Sequence, residues 1–285
     1  MKILNGKAIA DAILADLRNQ IMDEDLTPGL GVVLVGSDEA SKIYVNLKGK
    51  AAEKVGVSFR KIEMSNDASE EEVLEAIEEL NNDPKIQGII VQLPLPGHLD
   101  KLKIIQTIDP KKDVDGFHDE NIKLFFEGEE RFFPVFPKAI LELIKSVPKV
   151  QPSEDRRLNL RRDAVIICNS QEFGRTMQVT LEKENIFAQY FFREDIHDNL
   201  DKIKNADILI TACGEPDLIQ GEMLKQGVII IDGGISRIDE KVVGDIDPQS
   251  VEYLDGYLSP VPGGVGPVTI ACLLHNVVEA TKKSL

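Results

Sequence analysis

The sequence predicts an α/β protein of two domains, each built on a parallel sheet. Three observations carry that expectation. Short runs such as GLGVVLVGS (29–37), IQGIIVQL (86–93), AVIIC (164–168) and GVIIIDGG (227–234) are apolar nearly throughout, as strands covered on both faces are. They alternate with longer stretches of helical period, the pattern of parallel strands joined by crossover helices. The polar, charge-rich segment PKVQPSEDRRLNLRRD (148–163) separates one such series from a second and reads as a linker or exposed loop. A chain of 285 residues has the length for two ordinary domains.

The elements follow in order. Residues 7–24 place Ile9, Ile13, Leu14, Leu17 and Ile21 at helical spacing. After the strand at 29–37, Ser37 and Asp38 can cap a helix that Gly56 would stop. Between them Ile43, Leu47, Ala51 and Val55 draw an apolar stripe, with Tyr44 inside that arc and Lys48 at its edge. VSFRKIEM (57–64) reads as a second strand, and Ser69 with Glu72 makes a capping box for a helix ending at Asn82. The strand at 86–93 runs into PLPGH, and DPKKDVDGFH (109–118) reads as a loop. Beyond the linker, AVIIC leads through NSQEFGRT (169–176) into a helix ending near Asn185. FAQYFF (187–192), ADILITA (206–212) and GVIIIDGG complete a second sheet of Rossmann type. SPVPGGVGPVT (259–269) is a Pro/Gly loop before a last helix, from about Val268 to Lys283.

Composition narrows the function. The 49 acidic and 33 basic side chains leave a formal charge of −16, which argues against binding nucleic acid or an anionic membrane through the whole surface. A small anion would need a local basic patch, and Lys42, Lys48, Lys50 and Lys54 supply one on the Tyr44 helix. Cys168, Cys213 and Cys272 are far apart and without metal-ligand spacing, the usage of a reducing, cytoplasmic compartment. The amphipathic, charge-interrupted start MKILNGKAIADAILADL is unlike a signal peptide, and no window has the apolar length of a membrane span. His98, His118, His197 and His275 share no spacing that suggests a metal site or a triad.

In parallel α/β sheets ligands sit beyond the carboxyl ends of the strands. The loop into the Tyr44 helix, the Gln92–Pro96 turn and the 109–118 loop should therefore converge. A phenol and an amine one helical turn apart, met there by an amide and a carboxylate, can form an acid–base site. Structural readings stand beside it: Lys48 as a lysine snorkelling over a packed tyrosine, Gln92 as a strand-end cap, Asp113 and Asp115 as turn residues before Gly116. The Tyr-x-x-x-Lys spacing also suggests a short-chain dehydrogenase, but in that family the nucleotide fingerprint precedes the Tyr/Lys helix. Here the nucleotide-like unit starts at Ala164, well after it.

The order fits another family. GSDEASKIYVNLKGKAAEKVGV, GIIVQLPLPGH, KKDVDGFH and SPVPGGVGP occur in sequence and together resemble the bifunctional methylenetetrahydrofolate dehydrogenase/methenyltetrahydrofolate cyclohydrolases, the FolD family. The resemblance covers nearly the whole chain. It implies a folate-binding catalytic domain at 1–137 plus 266–285, a Rossmann-type NAD(P)-binding domain at 138–265, and an active-site cleft between them. It implies that Lys48 is the acid/base of the cyclohydrolase step, that Tyr44 lies against the folate, that Gln92 hydrogen-bonds the lysine and that Asp115 holds the pterin. Pro262, Gly263 and Gly264 would line the cleft floor. Asn169, Ser170, Gly174, Arg175, Asp195, Gly214 and Ile235 fall at the cofactor positions. Tetrahydrofolate derivatives are the implied substrates, NADP the family's usual cofactor, and a homodimer its common state.

The second sheet departs from the family pattern. Cys168-Asn169-Ser170 stands where Gly-Arg-Ser is usual, and Gly174-Arg175-Thr176 where Gly-Lys-Pro is. Glu194 and Asp195 replace His-Ser after the next strand, and Val135-Phe136-Pro137 replaces Cys-Thr-Pro at the domain hinge. An acidic residue about 20 positions past the glycine turn accepts from a ribose 2′-hydroxyl and repels a 2′-phosphate. The folate half thus matches the family, while the dinucleotide half leans toward NAD or toward a weakened dehydrogenase. A non-catalytic folate- or nucleotide-binding relative is the alternative from another class; the loss of Gly-Arg favours it, and Tyr44, Lys48, Gln92 and Asp115 count against it.

Overall fold

A computed structural model of the chain describes residues 1–148, 162–239 and 241–284. The chain divides into two compact units, Ala10–Val135 with Ile270–Leu285, and Met1–Ile9 with Phe136–Thr269.

Strand β1 (Lys2–Ile3) and helix α1 (Gly6–Asp23) open the chain. The first unit then holds β2 (Gly29–Val35), α2 (Glu39–Val55), β3 (Ser58–Met64), α3 (Glu70–Asn82) and β4 (Gly88–Val91). Its sheet is parallel in the order β3-β2-β4, with Val33 opposite both Ile62 and Val91. β2 and β4 are buried at every position, which is why they read as continuous apolar runs. Val73, Ile77 and Leu80 of α3 pack with Val33, Ile89 and Ile104 into one core. The capping box forms: Glu72 N donates to Ser69 Oγ (3.2 Å), and Ser69 N donates back to Glu72 (2.8 Å).

Helices α4 (Lys101–Gln106) and α5 (Asp119–Glu127) flank the 109–118 loop, where the sequence predicts no element, and α6 (Val135–Ser146) begins at the expected hinge. The first two are short, with little period to read, and α6 takes Pro137 into its first turn, where a missing N–H costs nothing. The expected linker at 148–163 lies, between residues 149 and 161, outside the described residues.

The second unit contains β5 (Asp163–Cys168), α7 (Gln171–Glu182), β6 (Phe187–Phe192), α8 (Leu200–Asn205), β7 (Ile208–Ala212), β8 (Ile229–Asp232), the antiparallel pair β9 (Ser236–Ile238) and β10 (Lys241–Val243), α9 (Pro248–Val251) and β11 (Tyr257–Ser259). Helix α10 (Val265–Ser284) closes the chain. The main sheet is parallel in the order β1-β11-β8-β7-β5-β6. Its order reverses beside β5, whose neighbours are β6 and β7, and that is the switch point of a doubly wound sheet.

Two of these strands, β1 and β11, are too short to leave a sequence signal. β1 adds to the sheet edge through Lys2 and Ile3 opposite Tyr257 and Leu258, and Leu4 N donates to Leu258 O at 2.8 Å. Those backbone bonds are why Met1–Ile9 group with the second unit, unlike the division expected from the sequence, which assigns residues 1–137 to the first.

Candidate active site

Helix α2 presents the central pair, but not through the predicted stripe. Its buried residues are Ser41, Val45, Gly49, Ala52 and Val55, while Ile43 and Leu47 are 52% and 46% exposed. The buried face is turned by the close approach of α2 to β3. A Cβ on Gly49 would stand 3.0 Å from the Phe59 ring, so the helix settles on its small residues rather than its large ones. Asp38 caps the start by accepting from Ser41 N at 2.7 Å, and Gly56 ends the helix at φ +94°. Tyr44 and Lys48 thereby sit at the margin of the buried face, both half-buried, with Lys48 Nζ 5.9 Å from the Tyr44 ring centre.

Gln92 follows the end of β4, and its backbone N still donates to Val33 O at 2.9 Å. From there its side chain meets the lysine: Lys48 Nζ donates to Gln92 Oε1 at 2.9 Å. Gln92 Nε2 donates to Leu93 O at 2.6 Å, which fixes which end of the amide faces the amine. The Leu93–Pro94 peptide is cis.

The two aspartates of the 109–118 loop divide their roles. Asp113 is buried and accepts from Gly116 N (3.2 Å), His118 N (2.8 Å) and Asn121 Nδ2 (2.9 Å), so it is the turn-forming residue. Asn121 is itself held by Arg131 Nη1 at 2.6 Å. Asp115 is half-buried, its backbone carbonyl accepts from Val135 N at 3.2 Å, and its carboxyl lies where Lys48 feels its charge. The loop is pinned to α10 by Asn276 Nδ2, which donates to Val114 O at 2.9 Å.

Burial holds the Lys48 pKa below the ordinary lysine value, and the Asp115 charge opposes that shift. Burial raises Asp115 to about 6, with Lys48 pulling it down and Asp113 pushing it up. A neighbouring amine and carboxyl are thus drawn toward one another's range, a signature of acid–base machinery. Elsewhere on α2, Lys54 pairs with Asp11 at 3.1 Å and Lys42 lies 4.0 Å from Glu63, so two members of the expected basic patch are neutralised. His98 Nε2 contacts Ala68 O at 3.0 Å, and His118 Nδ1 caps α5 by accepting from Glu120 N at 3.1 Å.

The remaining predicted residues lie in the second unit. Ser170 caps α7 through Phe173 N at 3.3 Å. A Cβ on Gly174 would stand 2.6 Å from the Tyr190 ring and 3.0 Å from Cys168 Sγ, so this glycine serves helix–sheet packing. Asn169 is exposed just past β5, with its amide engaged by the neighbouring loop. Its Nδ2 donates to Cys213 O at 2.6 Å. Arg175 is exposed on α7, and Asp195 is half-buried just past β6. Gly214 has φ +67°, in the left-handed region, and Ser236 Oγ donates to its carbonyl at 2.6 Å. Ile235 is 58% exposed beside it. The Val261–Pro262 peptide is cis, Gly263 sits at φ +104°, and a side chain on Gly264 would collide with Pro260 O.

Sequence reasoning missed two buried carboxylates that organise this end of the sheet. Asp245 accepts from Cys213 N (2.7 Å) and Glu215 N (2.8 Å), and Asp232 accepts from Gly234, Asp245 and Ile246 N, each at 3.1 Å. Side chains on Gly234 and Gly244 would overlap Asp245 and Asp232 respectively. An aspartate ending an all-isoleucine strand and followed by two glycines is the signal that marks the first of them.

The family model of the tetrahydrofolate dehydrogenase/cyclohydrolase catalytic domain matches residues 4–115, and that of the NAD(P)-binding domain matches residues 134–285. A bifunctional FolD protein of Vesicomyosocius okutanii is 41% identical over 283 residues, covering 98% of each chain. The crystal structure of the bifunctional FolD enzyme from Campylobacter jejuni superposes with a TM-score of 0.89 at 34% identity, covering 100% of both chains. A Trypanosoma brucei FolD structure, complexed with NADP cofactor and an inhibitor, gives 0.88 at 28% identity, with 98% of this chain and 97% of that one covered. With both of its family's domains matched in order and full-length relatives near 40% identity, this chain belongs to the tetrahydrofolate dehydrogenase/cyclohydrolase family.

Proposed function

We infer that the chain is a bifunctional enzyme that oxidises 5,10-methylenetetrahydrofolate to the 5,10-methenyl form with NAD(P) and hydrolyses that product to 10-formyltetrahydrofolate. The observation that carries the reading is Lys48: an amine with a burial-depressed pKa, hydrogen-bonded at 2.9 Å to a neutral amide.

The hydrolytic step needs a group that takes a proton from water attacking the cationic methenyl carbon and returns one as the ring opens. An ordinary lysine is almost wholly protonated near pH 7 and makes a poor base. Burial raises the neutral fraction of Lys48, and Gln92 orients Nζ without adding a charge that would cancel the shift. Asp115, ionised above about pH 6, supplies a fixed acceptor for the amino edge of a pterin. The Tyr44 ring offers a flat face to an aromatic substrate.

The second unit fits a dinucleotide in outline. A βαβ turn capped by Ser170 leads into α7, Gly174 permits close packing, and the 213–215 and 234–236 loops lie past the ends of β7 and β8. A bound nicotinamide supplies the hydride acceptor, and Ser170, Asp195, Gly214 and Ile235 are the residues that would hold the cofactor. Asn169 turned onto Cys213 O, together with Glu194 and Asp195 after β6, supports NAD over NADP, or a dehydrogenase weaker than the cyclohydrolase. We extend the reading to a cytoplasmic homodimer with Pro262–Gly264 against the substrate, on the family resemblance.

Purified protein tests this directly. Methylenetetrahydrofolate turnover with NAD exceeding that with NADP, beside measurable methenyltetrahydrofolate hydrolysis, is expected. NADP turnover well above NAD overturns the preference, and absence of hydrolysis overturns the folate reading. Lys48→Met should abolish hydrolysis with the fold intact by circular dichroism; a retained rate removes Lys48 as the acid/base.

A further inference from the structure

Asn169 and Arg193 follow the ends of β5 and β6, and each makes a contact with the same short loop, Cys213–Gly214–Glu215, after β7. Because β5 lies between β6 and β7, that loop reaches across the carboxyl end of β5, over the switch point where a doubly wound sheet takes its dinucleotide. Arg193 Nη1 donates to Glu215 Oε2 at 2.5 Å, and Asn169 Nδ2 donates to Cys213 O at 2.6 Å.

The Glu215 end of this bridge is fixed. Asp245, fully buried, accepts from Cys213 N and Glu215 N, and Ser236 Oγ ties down the Gly214 carbonyl. Arg193 opens the short 3₁₀ turn that follows β6, where Ile196 N donates to Arg193 O at 3.3 Å, and its guanidinium is exposed. Arg193 is the cation nearest in sequence to Asp195, the residue placed to meet the adenosine ribose. Arg193, Glu194, Asp195 and Glu215 together carry one positive and three negative charges, a net of −2, which disfavours a further phosphate there.

We propose that Glu215 is a specificity-determining residue: by holding Arg193 in an ion pair across the end of β5, it withholds from a cofactor 2′-phosphate the guanidinium that follows β6. This rests on the dehydrogenase reading above and assigns its cofactor preference to a particular contact. Both side chains are nearly half exposed (49% and 44%), so the pair adds little to stability and can be removed without unfolding the chain. Releasing Arg193 lets it form a charge-assisted contact with phosphate, and removing the Glu215 charge lowers the local repulsion.

Binding of NADP and of NAD is measured calorimetrically on the full-length protein, with Glu215→Gln, Arg193→Ala and the double variant. Glu215→Gln should raise NADP affinity roughly tenfold relative to NAD, the scale of one charge-assisted phosphate contact. The double variant should lose that gain, because Arg193 supplies it. An unchanged NADP/NAD ratio in Glu215→Gln, or a gain that survives without Arg193, overturns the proposal while leaving the dehydrogenase reading standing. Binding of neither dinucleotide to any variant overturns both.

Discussion

Replacing Gln92 isolates the contact on which the cyclohydrolase reading depends. Gln92→Leu keeps side-chain volume close but removes the 2.9 Å acceptor for Lys48 Nζ. The collateral loss is small: Leu93 O, which loses Gln92 Nε2, still faces Ser41 Oγ at 3.5 Å, and the backbone bond from Gln92 N to Val33 O is untouched. A hydrogen bond to a charged group contributes about 1.5–3 kcal/mol. At 1.36 kcal/mol per decade, the hydrolysis rate should fall about 10- to 150-fold if the contact is fully engaged in the transition state. The pH profile discriminates further. The amide oxygen favours the protonated amine, so its loss lowers the Lys48 pKa and moves the corresponding limb of the profile to lower pH. Gln92→Glu places a carboxylate on the same atom and must move that limb to higher pH. The assay is the disappearance of methenyltetrahydrofolate absorbance across pH for the three proteins. A leucine variant within twofold of the parent rate, or limbs that move in the same direction in both variants, would refute the argument.

Two further outcomes test the second unit. Gly174→Ala puts a methyl group against the Tyr190 ring and Cys168 Sγ, and should destabilise by about 1–3 kcal/mol, read as a lower denaturation midpoint at unchanged slope. Asp232 is 3% exposed and raised by burial to about 6 from an ordinary 3.8, so the folded state binds more protons than the unfolded between those values. Stability should therefore fall as pH rises through that window, by about 3 kcal/mol from this group, and the penalty should be fully present above pH 6. Asp232→Asn should flatten that part of the stability–pH curve; an unchanged curve means the carboxyl does not titrate there.

Much of the architecture was legible from residue pattern. β2, β4, β5 and β8 are buried nearly throughout, and burial on both faces leaves a run of apolar residues that needs no tertiary information to see. The caps of α2 and α3 are local hydrogen bonds between near neighbours in sequence, so Asp38, Gly56 and the Ser69/Glu72 pair announced themselves. The order of Tyr44, Lys48, Gln92 and Asp115 along the chain, with the Gly/Pro loop near its end, was enough to identify the family.

What the sequence could not contain was set by contacts between distant residues. The stripe through Ile43 and Leu47 is a real period, yet the helix buries Val45, Gly49 and Ala52, because the Phe59 ring admits only a glycine at the closest approach. Asp113 and Asp115 are chemically identical and two residues apart. Only the positions of Gly116, His118 and Asn121 make one a turn scaffold and leave the other facing Lys48. Two- and three-residue strands carry no period, so the addition of β1 to the second sheet waited on its pairing with β11. Asn169 and Arg193 were readable as departures from a pattern, but their attachment to the 213–215 loop depends on β6, β5 and β7 lying side by side. Sequence named the participants because helix and strand periods and caps are local; folding assigned their partners because burial and charge depend on what lies across the sheet.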